Sequence, residues 1–281
     1  MSSDSPLQFL FPPSLQARTH RVLVLVFVLH ACLGAALGLS VDEAHYLLYA
    51  AHPALSYFDH PPLVGWVQWP LVALGAPIAL LRLIPGLLWL VTVWGVYRLS
   101  LRLLAAHPLA EPAALGAVLA LALAPLLHIL GIGLLPDTLL MALTVALLWQ
   151  TTTLMNPQAL DSPNAWLRMG VCLGLAGLAK YTAVFTALAL GLVLLWTHGP
   201  RLLRNVWLWL SLALAAVLIL PVFVWNAQHQ WASFAYQVAH GQGHHEWLAL
   251  HVLRFLLLQV LAFGPLLLAA LWAREIGRAH V

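Results

Sequence analysis

Long apolar stretches separated by short polar breaks run along the whole chain of 281 residues. The stretches 22–40, 79–97, 113–132, 138–154, 166–179, 182–197, 206–224 and 252–272 reach or approach the roughly 20 residues that a helix needs to cross a bilayer. The stretch 63–75, LVGWVQWPLVALG, is apolar but cut short by Gly75 and Pro77. Its Trp66 and Trp69 fit a helix lying at the membrane interface. Alternation of apolar and polar residues in segments of about ten, the mark of a membrane β-barrel, is absent. The pattern therefore predicts an all-α polytopic membrane protein of about eight transmembrane helices, with interfacial helices in its first outer loop. No soluble domain, linker or repeat interrupts it.

Composition agrees with this reading. The chain is 63% hydrophobic and only 7% charged, where a soluble domain carries about a quarter charged residues. The few charges sort by side. Arg18, Arg21, Arg98, Arg102, Arg168, Arg201, Arg204 and Arg274 fall at one set of helix ends, and Asp42, Glu43, Asp59, Asp137 and Glu246 at the other. Because Lys and Arg are retained in the cytoplasm, the N-terminus reads as cytoplasmic and the acidic ends as extracytoplasmic. Arg82 and Arg254 break the rule on the acidic side. The net charge of +3 comes with no Lys/Arg cluster, so nucleic acid is not an expected partner. Cys32 and Cys172 lie inside apolar stretches and read as small buried thiols.

The chain divides into a cytoplasmic leader, 1–21, and a membrane domain, 22–274. The leader is polar and proline-containing, and no Ala-x-Ala-like site lies before Asp42, so the first stretch does not read as a signal peptide. The last residues, EIGRAHV, can be encoded by GAG-ATC-GGA-AGA-GCA-CAC-GTC, which resembles a common sequencing-adapter string. They read as a non-native tail, 275–281, and the membrane domain as incomplete at its C-terminus.

The stretch 42–62, DEAHYLLYAAHPALSYFDHPP, holds three of the nine acidic residues. A carboxylate at membrane depth costs roughly 2.5–3.5 kcal/mol or more, so such residues are usually interfacial or functional. Asp42 and Glu43 read either as solvated acids ending a helix or as site residues. Asp137 reads as a helix N-cap, which leaves room for a second role. Lys180, the only lysine, reads either as snorkelling to the interface or as a cation for a phosphate-bearing substrate. Of the fourteen histidines, His45, His52, His60, His229, His240, His244, His245 and His251 fall in the outer loops. Asp59, His60 and His229 are candidate ligands for a divalent metal ion such as zinc or manganese, although their spacing matches no known ligand pattern.

Taken together, DEAHYLLYAAHPALSYFDHPPL, LLPDTLLMAL, GLAGLAKYTAVF and PVFVWNAQHQWASFAYQ resemble, in order and interval, bacterial membrane glycosyltransferases of the GT-C type. These are relatives of the protein O-mannosyltransferases and of the lipid A aminoarabinose transferases that modify lipopolysaccharide. The resemblance covers 22 to about 271. It implies an enzyme that moves a sugar from a polyprenyl-phosphate donor to a hydroxyl of a glycan, lipid or protein, with inversion, at the extracytoplasmic face of the bacterial inner membrane. It implies Asp42 as general base, with Glu43 beside it and Asp137 orienting the acceptor or a bound cation. Lys180, His60, Arg82 and Arg254 are then the candidates for the donor phosphate. Aminoarabinose transferases carry lysine where this chain has His60, which widens the expected sugar class. A transporter or lipid flippase is the alternative, because intramembrane charges and Gly/Pro-broken helices also mark those proteins. The one-sided acids and the lack of an inverted repeat favour the enzyme.

Overall fold

The structure, a computed structural model, describes residues 14–241 and 249–278, which form helices and short connections with no strand among them. His244, His245 and Glu246, the leader up to residue 13 and residues 279–281 of the expected tail lie outside the described residues.

Helix α1 (Leu15–Ala36) opens on Ser14, whose hydroxyl accepts the Ala17 amide at 3.2 Å. It stops before the apolar stretch does, because Leu37 is extended. A new helix, α2 (Val41–Ala51), then begins at Ser40. The Ser40 hydroxyl accepts the Glu43 amide at 3.2 Å, and the Glu43 carboxylate accepts the Ser40 amide at 2.9 Å. This reciprocal capping box satisfies two of the amides that a helix start leaves unpaired. Thus Asp42 and Glu43 belong to a helix rather than to an irregular loop. The short α3 (Leu63–Ala73) packs on α2 and is too short to span, as its sequence predicts.

After α4 (Ile78–Leu81) comes α5 (Leu83–Leu103), which carries Trp89, Val93 and Tyr97 into a core with Leu23 of α1. The same core takes in α6 (Ala110–Leu123) and α7 (Pro125–Ile132). These two are one apolar stretch bent by 72°. The cause is Pro125, which has no amide proton to donate and pushes Ala124 into extended backbone, ψ 114°. His128 turns back to within 2.8 Å of the Ala122 carbonyl that the break exposes.

A second core joins α8 (Pro136–Leu154), α9 (Pro163–Ala179) and α10 (Ala183–His198) around Trp166, Leu147 and Leu154. Helix α11 (Val206–Gln228) packs closely on α9, through Gly170 and Gly174. A Cβ at Gly170 would lie 2.6 Å from the Ser211 carbonyl oxygen, and one at Gly174 would lie 2.6 Å from Leu218 Cβ. Small residues permit this backbone approach, as in many membrane helix pairs. The described chain ends with α12 (Ala232–Gly241) and α13 (Ala249–Arg278).

Among the described residues four helices are long and apolar enough to cross a membrane: Leu15–Ala36, Ile78–Leu103, Ala183–Arg204 and Val206–Gln228. The bent α6–α7 pair makes a fifth at most. The expected eight spans are therefore too many by this measure. Helix α8 is diluted by Gln150 and five threonines, and α9 ends after 17 residues where Lys180 turns extended. The chain nevertheless alternates between two ends. Arg102 reaches Thr153 at 2.9 Å and His198 lies 2.8 Å from the Leu154 carbonyl at one end. At the other end, Lys180 meets Asp137 and Arg82 meets Glu43. A third core of Tyr46, Tyr49, Val64, Leu134, Leu139 and Ala179 seats α2 and α3 on the ends of α8 and α9 there.

Candidate functional site

The second end of the bundle gathers the predicted acids, in three different environments. Glu43 is buried and ion-paired with Arg82, each Glu43 carboxylate oxygen receiving a guanidinium nitrogen at 2.8 Å. The other guanidinium protons go to carbonyls at the end of α1: Gly34 at 2.9 Å, Leu37 at 2.6 Å and Gly38 at 2.8 Å. Burial works to raise the Glu43 carboxyl, but hydrogen bonds from Arg82 and Ser40 and the Arg82 charge outweigh it and lower its pKa. Glu43 and Arg82 thus join α1, α2 and α5, and every strong donor direction of Arg82 is taken. Arg82, predicted as a phosphate ligand on the acidic side, is placed as the mount for α2, and Glu43, predicted beside the base, is its counter-ion.

Asp42, one residue earlier, is exposed in the first turn of α2 and makes no hydrogen bond among the described residues. Asp137 lies in the first turn of α8, two residues past the N-cap position, Leu135, rather than at the cap expected for it. Its carboxylate instead takes the Lys180 ammonium at 2.6 and 2.7 Å. The two side chains are 25% and 49% exposed, and a pair that open contributes about 1 kcal/mol or less to stability. Its value is positional: the lone lysine is held beside a carboxylate at the mouth of the bundle. Between these groups stands Tyr46, buried. Its hydroxyl pKa is raised first by burial, then by the negative charges of Asp59, Asp42 and Asp137. The charges of all three carboxylates therefore act on one tyrosine hydroxyl.

Asp59 forms the third environment. It accepts hydrogen bonds from the Tyr49 hydroxyl and from His60 Nδ1 at 3.1 Å, and His45 Nε2 lies 3.2 Å away. Tyr49 stacks on Tyr57 with centroids 3.6 Å apart. The Tyr57 hydroxyl donates to the Tyr49 carbonyl at 2.7 Å, which folds the 52–60 loop back on α2. Helix α12 clips this loop from above: Ser233 donates to the Tyr57 carbonyl at 2.7 Å and Gln237 to the Asp59 carbonyl at 2.6 Å. The turn that brings α12 there places Gln230 and Trp231 at φ 56° and 60°, a costly left-handed pair held by the Trp231 amide on the Asn226 carbonyl at 2.8 Å. The result is a cavity of ≈ 500 Å³ between α2, the loop, α11 and α12.

Burial opposes ionisation of Asp59, but hydrogen bonds from His60, Tyr49 and His45 and the charge of His60 hold its carboxyl well below the ordinary 3.8. A depressed carboxylate contributes stability that is complete above the ordinary value and is lost as pH falls below it. Asp59→Asn is expected to lower the unfolding midpoint clearly at about pH 6 and less at about pH 3. Thermal unfolding of the purified protein at the two pH values checks this.

The remaining candidates separate from this centre. His60 serves Asp59 rather than standing free for a phosphate. Arg254 lies exposed on α13 with no ion-pair partner among the described residues. His229 stacks on Trp225, its Nδ1 2.7 Å from the Trp225 carbonyl, so Asp59, His60 and His229 are not assembled as one ligand set. Among the described residues no three His, Cys, Asp or Glu groups are placed to hold a metal ion. Sequence reasoning gave no role to Tyr46, Tyr49 or Ser40. Ser40 carried a readable signal, the Ser-x-x-Glu capping box of 40–43, and the tyrosines carried their helical spacing with Glu43 on α2.

No curated protein and no solved structure matches the chain. A family model described as dolichyl-phosphate-mannose-protein mannosyltransferase does match, over residues 59–225. That stretch is more than half of the chain, and it takes in Asp59, Arg82, Asp137 and Lys180, while Asp42 lies before it. Both of its limits, Asp59 and Trp225, line the cavity at the acidic end. This helical membrane protein is a glycosyltransferase, and it belongs to the dolichyl-phosphate-mannose-protein mannosyltransferase family.

Proposed function

We propose that the protein transfers a sugar from a polyprenyl-phosphate donor to an acceptor hydroxyl, with inversion, at the acidic end of its helical bundle. The observation that carries this reading is the Lys180–Asp137 pair at that end, 2.6 and 2.7 Å, with the charges of Asp42 and Asp137 both acting on the buried Tyr46 hydroxyl beside it. In the reaction, the acceptor oxygen loses its proton to the Asp42 carboxylate and attacks the anomeric carbon. The bond from that carbon to the phosphate oxygen breaks, and polyprenyl phosphate leaves with the electron pair. Lys180 meets the charge that develops on the phosphate, and a positioned cation of this kind acts mainly on the transition state. Asp137 holds the ammonium in place and orients the incoming hydroxyl.

The asymmetry of arginines supports a cytoplasmic N-terminus and an active end facing the periplasm of a bacterial inner membrane. Residues 22–274 act as one membrane domain, and the acceptor is a glycan, lipid or protein hydroxyl. A mannosyl donor is the first to test, because the matched family is described by one.

The test is release of polyprenyl phosphate from polyprenyl-phosphate mannose by the purified protein, with and without envelope extract as acceptor. Release that depends on the extract is expected; none with any lipid-phosphate sugar sinks the proposal. For Lys180→Ala the donor KM is expected to rise about 10- to 100-fold, the worth of one charge-assisted hydrogen bond. An unchanged donor KM removes Lys180 from the phosphate site. The unfolding midpoint should move little, because the pair is half open to solvent.

A further inference from the structure

A second cavity, of ≈ 320 Å³, lies at the arginine end of the bundle between α5 and α8. Both helices run from the acidic end to this one, and the cavity follows them as a groove, from Val91 to Arg98 and from Ala142 to Gln150. The stretch from Val91 to Arg98 is about 10 Å of helix, much of the roughly 15 Å that one leaflet's hydrocarbon occupies. Its deep part is small and apolar. Ala142 and Ala146 give it width, and Gly95 lets α8 come so near that a Cβ there would lie 2.7 Å from Val145 Cγ1. Polar groups gather only at the arginine end. Trp149 stands there with the Arg102 guanidinium 4.7 Å from its ring centroid, and Arg102 donates to Thr153 at 2.9 Å. Arg102 is thereby engaged. Arg98 is exposed beside it, 5.8 Å from the Trp94 ring centroid, and its guanidinium makes no ion pair or hydrogen bond among the described residues.

We propose that this groove binds one anionic phospholipid of the surrounding bilayer, its acyl chain between α5 and α8 and its phosphate on Arg98. Tryptophan and arginine at one level mark the headgroup layer, which puts the apolar part of the groove beside the acyl chains. A guanidinium takes a phosphate through two parallel hydrogen bonds, and basic clefts between membrane helices select anionic heads. Charge favours an anion here. Among the described residues no acid lines the groove, and this end of the bundle carries Arg18, Arg21, Arg102, Arg168, Arg201 and Arg204 against Glu111 and Asp161. A zwitterionic head brings a cation along with its phosphate and gains less from such a field. The lipid is distinct from the sugar donor, whose phosphate is read at Lys180 at the opposite end, so the inference stands apart from the transfer reading.

The experiment is native mass spectrometry of the detergent-purified full chain, titrated with palmitoyl-oleoyl phosphatidylglycerol, with the phosphatidylcholine of the same chains, and with polyprenyl phosphate. One phosphatidylglycerol should be held about tenfold more tightly than phosphatidylcholine, and Arg98→Gln should remove that difference. Arg98 is exposed, so the lipid-free unfolding midpoint of this variant should match the parent's. Added phosphatidylglycerol should raise the midpoint of the parent and not that of Arg98→Gln. Ala146→Phe fills the apolar part and should weaken both phospholipids alike. Equal retention of the two phospholipids, or a preference that Arg98→Gln leaves intact, overturns the site. Tighter Arg98-dependent binding of polyprenyl phosphate than of phosphatidylglycerol makes the groove a donor site instead. A dimer that Ala146→Phe dissociates gives the groove to a second copy of the chain. Either of these results also overturns the phospholipid.

Discussion

Asp42→Asn is expected to lower the rate of sugar transfer by about 10²–10⁴-fold, the usual worth of a positioned general base. The loss should appear in kcat, with donor KM within about threefold of the parent, because Asp42 meets a proton rather than the lipid phosphate. Structure makes the test clean. Asp42 is exposed and carries, among the described residues, no hydrogen bond that the amide would break. Its charge sits in the first turn of α2, where it gains from the helix dipole only about 0.3–1 kcal/mol. The variant should therefore insert and fold like the parent, and a near-parental unfolding midpoint is part of the expected result. Full activity in a folded variant moves the base to Asp137 or Asp59, the other two carboxylates whose charges act on Tyr46. Asp42→Glu keeps the carboxylate but lengthens the arm, and an intermediate rate there would tie the loss to proton transfer.

Arg82→Met should have the largest effect on folding. It leaves Glu43 buried without its counter-ion and strips the Gly34, Leu37 and Gly38 carbonyls of their donors. Removing one partner of a buried ion pair costs about 3–5 kcal/mol, against about 1 kcal/mol for the half-exposed Lys180–Asp137 pair. That contrast is the decisive measurement. Unfolding midpoints in detergent should rank Arg82→Met far below Lys180→Ala, with Glu43→Gln between them, since glutamine keeps the capping box. The Glu43→Gln/Arg82→Met double variant should lose less than the sum of the single losses. Equal, small losses for Arg82→Met and Lys180→Ala would mean that the clasp does not hold α2. Activity should fall with folding in Arg82→Met, because the residue that mounts α2 also aims Asp42.

These two substitutions also mark what could be read from residues alone. Asp42, Asp137 and Lys180 stood out because isolated charges in an apolar chain demand a reason, and helix ends alternate predictably between two faces. The Glu43–Arg82 clasp joins residues 39 positions apart, and no local pattern encodes such a pairing. The same Arg82 looked like a phosphate ligand because it broke the charge asymmetry, when its exceptional place reflected a carboxylate and three carbonyls waiting for it. The span count erred for a related reason. Hydropathy measures how apolar a stretch is and not what it faces. Helix α9 is apolar toward α11, and its glycines are there for close packing rather than for lipid. The cavity was least legible of all, since its walls come from 45 to 59 and from 225 to 236.

That last separation sets an order on the making of the site. The hydrogen bonds that close the first loop under α12 link Tyr57 to Ser233 and Asp59 to Gln237, 176 and 178 residues later in the chain. During synthesis the segment bearing Asp42 leaves the ribosome well before Ser233 and Gln237, and until they follow, its loop is held only by local bonds such as Tyr57 to the Tyr49 carbonyl and Trp66 to the Ala54 carbonyl. The cavity, which needs Tyr236 in its wall, therefore closes only after α12 has emerged. A ribosome stalled before Ser233 would hold a chain with its acids in place and its cavity unformed.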